Sequence, residues 1–283
     1  MYFIGVTTAS SSIHRIFPRW TELSGVAGAA LIGVDIPVDA PPEACRAAVG
    51  RLRDDPSAEG ALVTTHKVAL WRHARDLFTG FDADAAALGE ISCVVKRGDR
   101  LTGLGIDTLT AGLALREILP DAPFHGHALI LGAGGAAVAL AVHLYRDHQP
   151  AELTLTDISA ARLEQIRRLT PARLRLISRP EDHDRLLATL PPASLVVNAT
   201  GMGKDRPGSP LTAAARFPAE AVAWDFNYRG ELVFLDYARA QGIRAVDGWS
   251  YFLHGWSQIL SRVFGFDLTP DLFAAMREAA LSR

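Results

Sequence analysis

Short apolar runs alternate with segments of helical period along the first hundred residues. The runs beginning at Tyr2 (YFIGVTT), Ala29 (AALIGVDIPV) and Ala61 (ALVTT) have the length and character of buried strands. Pro42 to Leu52, Val68 to Phe78 and Asp82 to Leu88 instead space their apolar positions as helices do. From Ile91 the stretch ISCVVKRGDRLTGLG reads as a hairpin with Arg97-Gly98-Asp99 at its turn. Such alternation predicts a mostly parallel sheet covered by helices on both faces.

A second strand–helix series begins near His127. HALILGAGG is a strand entering a glycine turn, and the segment from Ala136 continues as a helix. Leu153 to Asp157 is the next strand, a helix follows through Arg168, and further strands start at Arg173, Ser194 and Ala221. Linkers are expected near Pro120 to His125 and at Asp247-Gly248. Beyond Gly248 the strand pattern stops, and two helices, Trp249 to Phe264 and Pro270 to Leu281, finish the chain. The expected fold class is therefore α/β with two domains, the last helices packing back on the first. The boundaries are placed at 1–108, 109–247 and 248–283.

Composition narrows the function. The 283 residues carry 29 Lys+Arg against 31 Asp+Glu, a net charge of −2 that lacks the basic excess of a nucleic-acid protein. No apolar run reaches the roughly 18 residues of a membrane span, and the N-terminus has no signal-peptide pattern. Two cysteines, Cys45 and Cys93, cannot build a disulfide framework. A cytoplasmic protein is expected, a monomer or homodimer, with no nucleic-acid or membrane partner. The nine histidines show no paired ligand spacing, so no metal is expected. Of the 29 basic residues only Lys67, Lys96 and Lys204 are lysine.

Gly132-Ala133-Gly134-Gly135-Ala136-Ala137 fits G-x-G-x-x-A between a strand and a helix. The first glycine permits the tight turn, the second lets backbone approach a pyrophosphate, and the helix N-terminus faces the anion. The following strand ends at Asp157, where an acidic residue meets the adenosine ribose hydroxyls. A carboxylate there accepts from a free 2′-hydroxyl and repels a 2′-phosphate, so NAD is favoured over NADP. Arg162 and Arg179, nearby in sequence, count on the other side.

In the first domain, Lys67 follows the strand ALVTT and Asp107 follows the hairpin. Strand ends of an open α/β sheet line ligand crevices, and a lysine there can exchange a proton with a reacting hydroxyl. At this point the chain resembles the shikimate/quinate dehydrogenase family. Gly5 to Ser12 approximates its G-x-P-x-x-H-S-x-S-P segment, and Gly60 to Lys67 its G-x-N-V-T-x-P-x-K. Gly103 to Asp107 approximates G-x-N-T-D, and the GAGGA turn stands unchanged at Gly132 to Ala136. Asn198-Ala199-Thr200-Gly201-Met202, Asp225-Phe226-Asn227-Tyr228 and Asp247-Gly248 complete the landmarks in order.

The resemblance implies reversible NAD(P)-dependent oxidation of a ring hydroxyl on a cyclohexane or cyclohexene carboxylate. Residues 1–108 would form the substrate-binding catalytic domain and 109–247 the dinucleotide domain. Lys67 would be the general acid/base and Asp107 its partner. Ser10, Ser12 and Tyr228 would hold the substrate carboxylate, Thr64 and Ser92 its hydroxyls, and Gly255 would border it. Gly132 to Ala136, Asp157, Asn198, Thr200, Gly201, Met202 and Gly248 would bind the cofactor. The serines equally fit the N-terminus of a helix from Ile13 to Leu23, and Tyr228 a packed aromatic. His14, His66 and His254 read as structural or solvated, Lys96 and Lys204 as solvated.

The chain departs from that pattern at several hydroxyl-reading positions. The family asparagines are replaced by Leu62, Ser92 and Gly105, and its late glutamine by Gly255. Losing such groups changes specificity strongly, so the ring acid is left open. Two alternatives stand beside the leading one: an NADP-dependent shikimate dehydrogenase, and a non-catalytic dinucleotide-binding regulator.

Overall fold

The computed structural model describes residues 1–26, 28–119, 123–204 and 206–281; the linker expected at 120–125 lies partly outside them. The first stretch of chain forms β1 (Tyr2–Gly5), α1 (Ile13–Leu23), β2 (Ile32–Asp35), α2 (Pro42–Asp54), β3 (Gly60–Val63) and α3 (Lys67–Ala74). It continues with β4 (Gly80–Phe81), α4 (Ala83–Leu88), β5 (Cys93–Arg97) and β6 (Arg100–Leu104). Then come α5 (Asp107–Ile118), β7 (His127–Leu131), α6 (Gly135–His143), β8 (Glu152–Asp157), α7 (Ala160–Ile166) and β9 (Arg173–Leu176). The remainder is α8 (Pro180–Leu187), β10 (Leu195–Asn198), β11 (Val222–Asp225), α9 (Val233–Arg239), β12 (Arg244–Val246), α10 (Trp249–Phe264) and α11 (Pro270–Leu281). Two compact units result: Met1–Ile106 with Gly255–Arg283, and Asp107–His254.

The first unit holds a sheet of order β2-β1-β3-β5-β6-β4. β1 lies parallel to β2 and β3, whereas β5 runs antiparallel to β3 and β6. β4 runs parallel to β6, so β5 alone is reversed: the sheet is mixed, and mostly parallel as expected. Alternate residues serve opposite faces, as the period of a strand requires. Tyr2, Ile4, Ala61 and Val63 share a core with Leu52, Leu70 and Ile91, while Phe3 meets Trp256 edge-on at 4.9 Å. The fully buried Trp20 on α1 donates from Nε1 to the Met276 carbonyl of α11 at 2.6 Å. α11 and the part of α10 from Gly255 onward thus pack with the first unit's own elements. Lys96, expected to be solvated, is instead 6% exposed. Its side chain points inward from β5, and its ammonium finds the Asp55 carbonyl.

The second unit is an all-parallel sheet of order β12-β11-β10-β7-β8-β9. Read from its far edge, this is the doubly wound order whose chain reversal lies between β7 and β10. Its central strands feed two cores by alternation. Ala128, Ile130, Leu195, Val197 and Trp224 face one cluster; Leu129, Leu131, Val196 and Ala223 face the other. Burial on both faces explains why these strands read as unbroken apolar runs. Among the described residues no helix is long and apolar enough to cross a membrane.

Candidate functional site

β7 delivers the glycine turn to the carboxyl edge of the parallel sheet, beside the chain reversal. Gly132 has φ +100°, and a Cβ there would stand 2.8 Å from the Ala199 carbonyl oxygen. Only glycine tolerates both the dihedral and the approach. Gly134 precedes α6, and a Cβ on it would meet no atom within 4 Å. The backbone of the exposed Gly134 and the half-buried Gly135 and Ala136 opens on the N-terminus of a nine-residue helix, the arrangement that receives a pyrophosphate.

Two residues at the end of β8 brace this turn. Gly132 donates its N–H to Thr156 Oγ1 at 3.3 Å, and Ala133 donates to Asp157 Oδ2 at 3.0 Å. Asp157 Oδ1 also accepts from the Ser159 N–H at 2.8 Å. Thr156 leads on to His183, whose Nε2 lies 2.8 Å away and whose Nδ1 lies 2.9 Å from the Pro210 carbonyl. A carbonyl only accepts, so Nδ1 carries the proton and Nε2 receives the Thr156 hydroxyl. Burial lowers the His183 pKa below its ordinary value, which keeps this neutral tautomer.

These groups line a cleft of about 280 Å³, together with Ile158, Ile177, Met202 and the side chains of Arg162, Arg179 and Arg206. The Arg162 guanidinium lies 3.7 Å from Asp157 Oδ2. Glycine cradle, helix N-terminus, strand-end carboxylate and apolar walls fit a dinucleotide. Arg206 and His183 carried no recognisable spacing in the sequence; only the return of distant loops brings them here.

The loop after β10 is closed by its own side chains. Asn198 Oδ1 accepts from the Thr200 N–H at 3.1 Å and the Thr200 hydroxyl at 2.7 Å. Its Nδ2 donates to the Met202 carbonyl at 3.2 Å and to Asp225 Oδ2 at 2.8 Å. Asn227 Nδ2 reaches the same Met202 carbonyl at 3.0 Å, and its N–H reaches Asp225 Oδ1 at 2.8 Å. Burial pushes the Asp225 carboxyl up to about 6, against the opposing pull of the Asn227 and Asn198 donors. Asn198 and Thr200 thereby shape the loop through Gly201 and Met202. A Cβ on Gly248 would collide with the Phe226 carbonyl, so the strand-end loops approach one another there. Tyr228 packs its ring against Phe252 at 4.6 Å and Trp249 at 5.3 Å.

In the first unit, the loops after the paired strands β1 and β3 carry the serines, Thr64 and Lys67. Thr8 donates twice to Asp35, from its N–H at 2.8 Å and its hydroxyl at 2.5 Å. These bonds hold the Asp35 carboxyl below its usual range and pin the short turn Thr8–Ser10. Ser10 donates to the Thr7 carbonyl at 3.0 Å, and Ser12 stands at the N-cap of α1. Thr64 Oγ1 donates to the Ile4 carbonyl at 3.3 Å. Lys67 is the first residue of α3 and half-buried. Ser92 is fully buried. Its hydroxyl donates to the Leu104 carbonyl at 3.2 Å and accepts from the Ile106 N–H at 2.9 Å. It therefore fixes the chain immediately before Asp107. A Cβ on Gly255 would meet no atom within 4 Å.

In the second unit, Asp107 opens α5 and is 5% exposed. Its Oδ2 lies 3.4 Å from the Tyr251 hydroxyl, a contact the sequence pattern did not indicate. His254 Nε2 lies 2.8 Å from Glu117 Oε1, which ties α10 to α5.

No family model matches the chain. The NADP-dependent shikimate dehydrogenase of Symbiobacterium thermophilum is 30% identical over 86% of this chain and 82% of its own. The solved shikimate 5-dehydrogenase of Thermus thermophilus, in complex with NADP(H) and shikimate, is 25% identical. It covers 99% of this chain and 98% of its own, with a TM-score of 0.72. The fold also matches quinate dehydrogenase from Corynebacterium glutamicum in complex with NAD. That protein has a TM-score of 0.73 and 23% identity over 100% of this chain and 98% of its own. A mixed sheet, a parallel sheet with its glycine turn, and sequence similarity over most of both chains agree: the chain belongs to the shikimate/quinate dehydrogenase family.

Proposed function

We propose that the chain is an NAD(P)-dependent dehydrogenase that interconverts a ring hydroxyl and a ketone on a cyclohexane or cyclohexene carboxylate. The observation that carries this reading is the braced glycine turn, Gly132 to Gly135 with Asp157, in a chain of this family. When bound, the nicotinamide accepts or returns the hydride. Lys67 is the general base that takes the hydroxyl proton in oxidation and the general acid that returns it in reduction. Arginine stays protonated at neutral pH and could not serve there. Asp107 is its carboxylate partner and takes a substrate hydroxyl.

Ser10, Ser12 and Tyr228 hold the substrate carboxylate, and Thr64 a ring hydroxyl. Ser92 is a substrate-binding residue in this reading, and its hydroxyl, which donates to Leu104 and accepts from Ile106, also anchors the backbone before Asp107. Gly255, where the family pattern has glutamine, leaves room for a bulkier or differently substituted ring acid.

NAD is the proposed coenzyme, since the Asp157 carboxylate lines the cleft where a 2′-phosphate would have to lie. One observation favours the second reading, NADP: the arginines at 162, 179 and 206 line the same cleft. Initial rates with both coenzymes over quinate, shikimate and amino- or deoxy-substituted analogues decide between them. A clear NADP preference refutes the reading of Asp157. Coenzyme binding without reduction on any ring acid supports the regulatory alternative. Lys67→Ala should lower kcat by about 10²-fold or more while coenzyme binding persists; near-normal turnover would refute the assignment.

A further inference from the structure

Tyr251 lies in the first turn of α10, and its hydroxyl faces the Asp107 carboxylate at the start of α5. The two residues are 144 positions apart, and what aligns them is a mount built from both ends. The Tyr251 ring stacks on Phe226 with centroids 4.7 Å apart and planes 16° apart, and meets Trp224 edge-on at 6.3 Å. Phe226 directly follows Asp225, the buried end of β11. On either side of Tyr251, Ser250 donates to Glu117 Oε2 at 2.6 Å and His254 Nε2 lies 2.8 Å from Glu117 Oε1. Glu117 stands near the far end of the helix that Asp107 begins. The start of α10 is therefore tied to α5 at a second point.

A phenol can serve a carboxylate only as a donor, since an ionised carboxylate only accepts. At 3.4 Å the contact is long, as hydrogen bonds at catalytic groups are before substrate tightens them. Packing alone would explain an aromatic ring against Phe226 and Trp224. It would not explain a hydroxyl directed at a carboxylate that is 5% exposed.

We propose that Tyr251 is a positioning residue for the reaction: its hydroxyl holds the Asp107 carboxylate in the orientation that proton exchange requires. This inference rests on the proposed role of Asp107. It also bears on specificity. Where the family pattern carries asparagine and threonine before the aspartate, this chain has Gly105 and Ile106, neither of which offers a side-chain donor. Tyr251 supplies a donor from another element.

Tyr251→Phe retains the stacked ring and removes only the hydroxyl. The expected result is a 5- to 10-fold fall in kcat for the best ring acid, with the coenzyme KM and the melting temperature unchanged. If the residue serves packing alone, Tyr251→Phe behaves as wild type, and that outcome overturns the proposal. Tyr251→Phe combined with Asp107→Asn closes a mutant cycle. A hydroxyl acting through Asp107 adds no further loss to that of Asp107→Asn; an additive loss overturns the proposal. Wild-type turnover in Asp107→Asn alone would overturn the reading of Asp107 and this inference with it. A crippled Asp107→Asn beside an unaffected Tyr251→Phe overturns only the role of Tyr251.

Discussion

The carboxylate of Asp157 accepts a hydrogen bond from the backbone N–H of Ala133, inside the glycine turn, at 3.0 Å. Two features that sequence motifs treat as separate, a phosphate-binding turn and a ribose-binding acid, are one hydrogen-bonded unit. Thr156, one residue earlier, holds Gly132 in the same way. The end of β8 therefore sets the shape of the turn that follows β7, before any coenzyme arrives.

That coupling gives Asp157 two separable effects. Asp157→Asn keeps one acceptor oxygen for the turn but removes the negative charge beside Arg162. The ratio of kcat/KM for NADP to that for NAD should rise about tenfold or more, equivalent to about 1.4 kcal/mol. An unchanged ratio in steady-state assays would show that the charge does not select the coenzyme.

Gly132→Ala should weaken the coenzyme site through backbone geometry alone. A residue forced to φ +100° with its Cβ against the Ala199 carbonyl carries strain of about 1–3 kcal/mol. Coenzyme binding followed by fluorescence titration should weaken about tenfold or more, with a lower melting temperature. Gly134→Ala, whose Cβ meets no protein atom within 4 Å, should leave stability nearly untouched and lower affinity alone.

Asp225 links pH to the same cleft. Its two oxygens face N–H donors from Asn198 and Asn227, so a proton on either oxygen opposes a donor. With its carboxyl pushed up to about 6, the coenzyme KM should rise as pH falls through that value. Asp225→Asn should show the raised KM at every pH. A wild-type coenzyme KM that stays flat between pH 7.5 and 5 would count against this coupling.

Acid stability follows from three buried histidines. Burial holds His143, His148 and His183 below the ordinary histidine value. The unfolded chain then takes up protons near pH 6.5 that the folded chain resists. Their contribution is intact above that pH, and stability is lost as pH falls below it. Asp225 acts with the opposite sign, since its raised folded value favours the folded state as pH drops through about 6, but it is one group against three. The melting temperature of the coenzyme-free protein should therefore fall between pH 7.5 and 5.5. A rise over that interval would contradict the assignment of these rings as neutral.

Much of the second unit was legible from local pattern. Ala128 to Leu131 and Leu195 to Val197 are apolar throughout because both faces of β7 and β10 are buried, and the glycine turn needs its residues contiguous in sequence. The elements without such signals are β4, α8, α9 and β12. β4 is two residues long and exists through its pairing with β6. β12 is a three-residue edge strand whose residues are exposed or half-buried. α8 is rich in charge, with an apolar side too short to mark a period.

Lysines show the same division between local and tertiary information. The sequence alone placed Lys67 just after a strand, where a helix begins; its part in proton exchange is what the family resemblance implies. It had no means of placing Lys96, which reads as a polar residue before a turn. Only the tertiary structure buries Lys96 against the Asp55 carbonyl, commits the Ser92 hydroxyl to backbone and sets Tyr251 against Asp107. Strand period and glycine turns are properties of neighbouring residues, so sequence carries them. The partner of a buried polar group is chosen by which distant elements meet, and that is decided by packing.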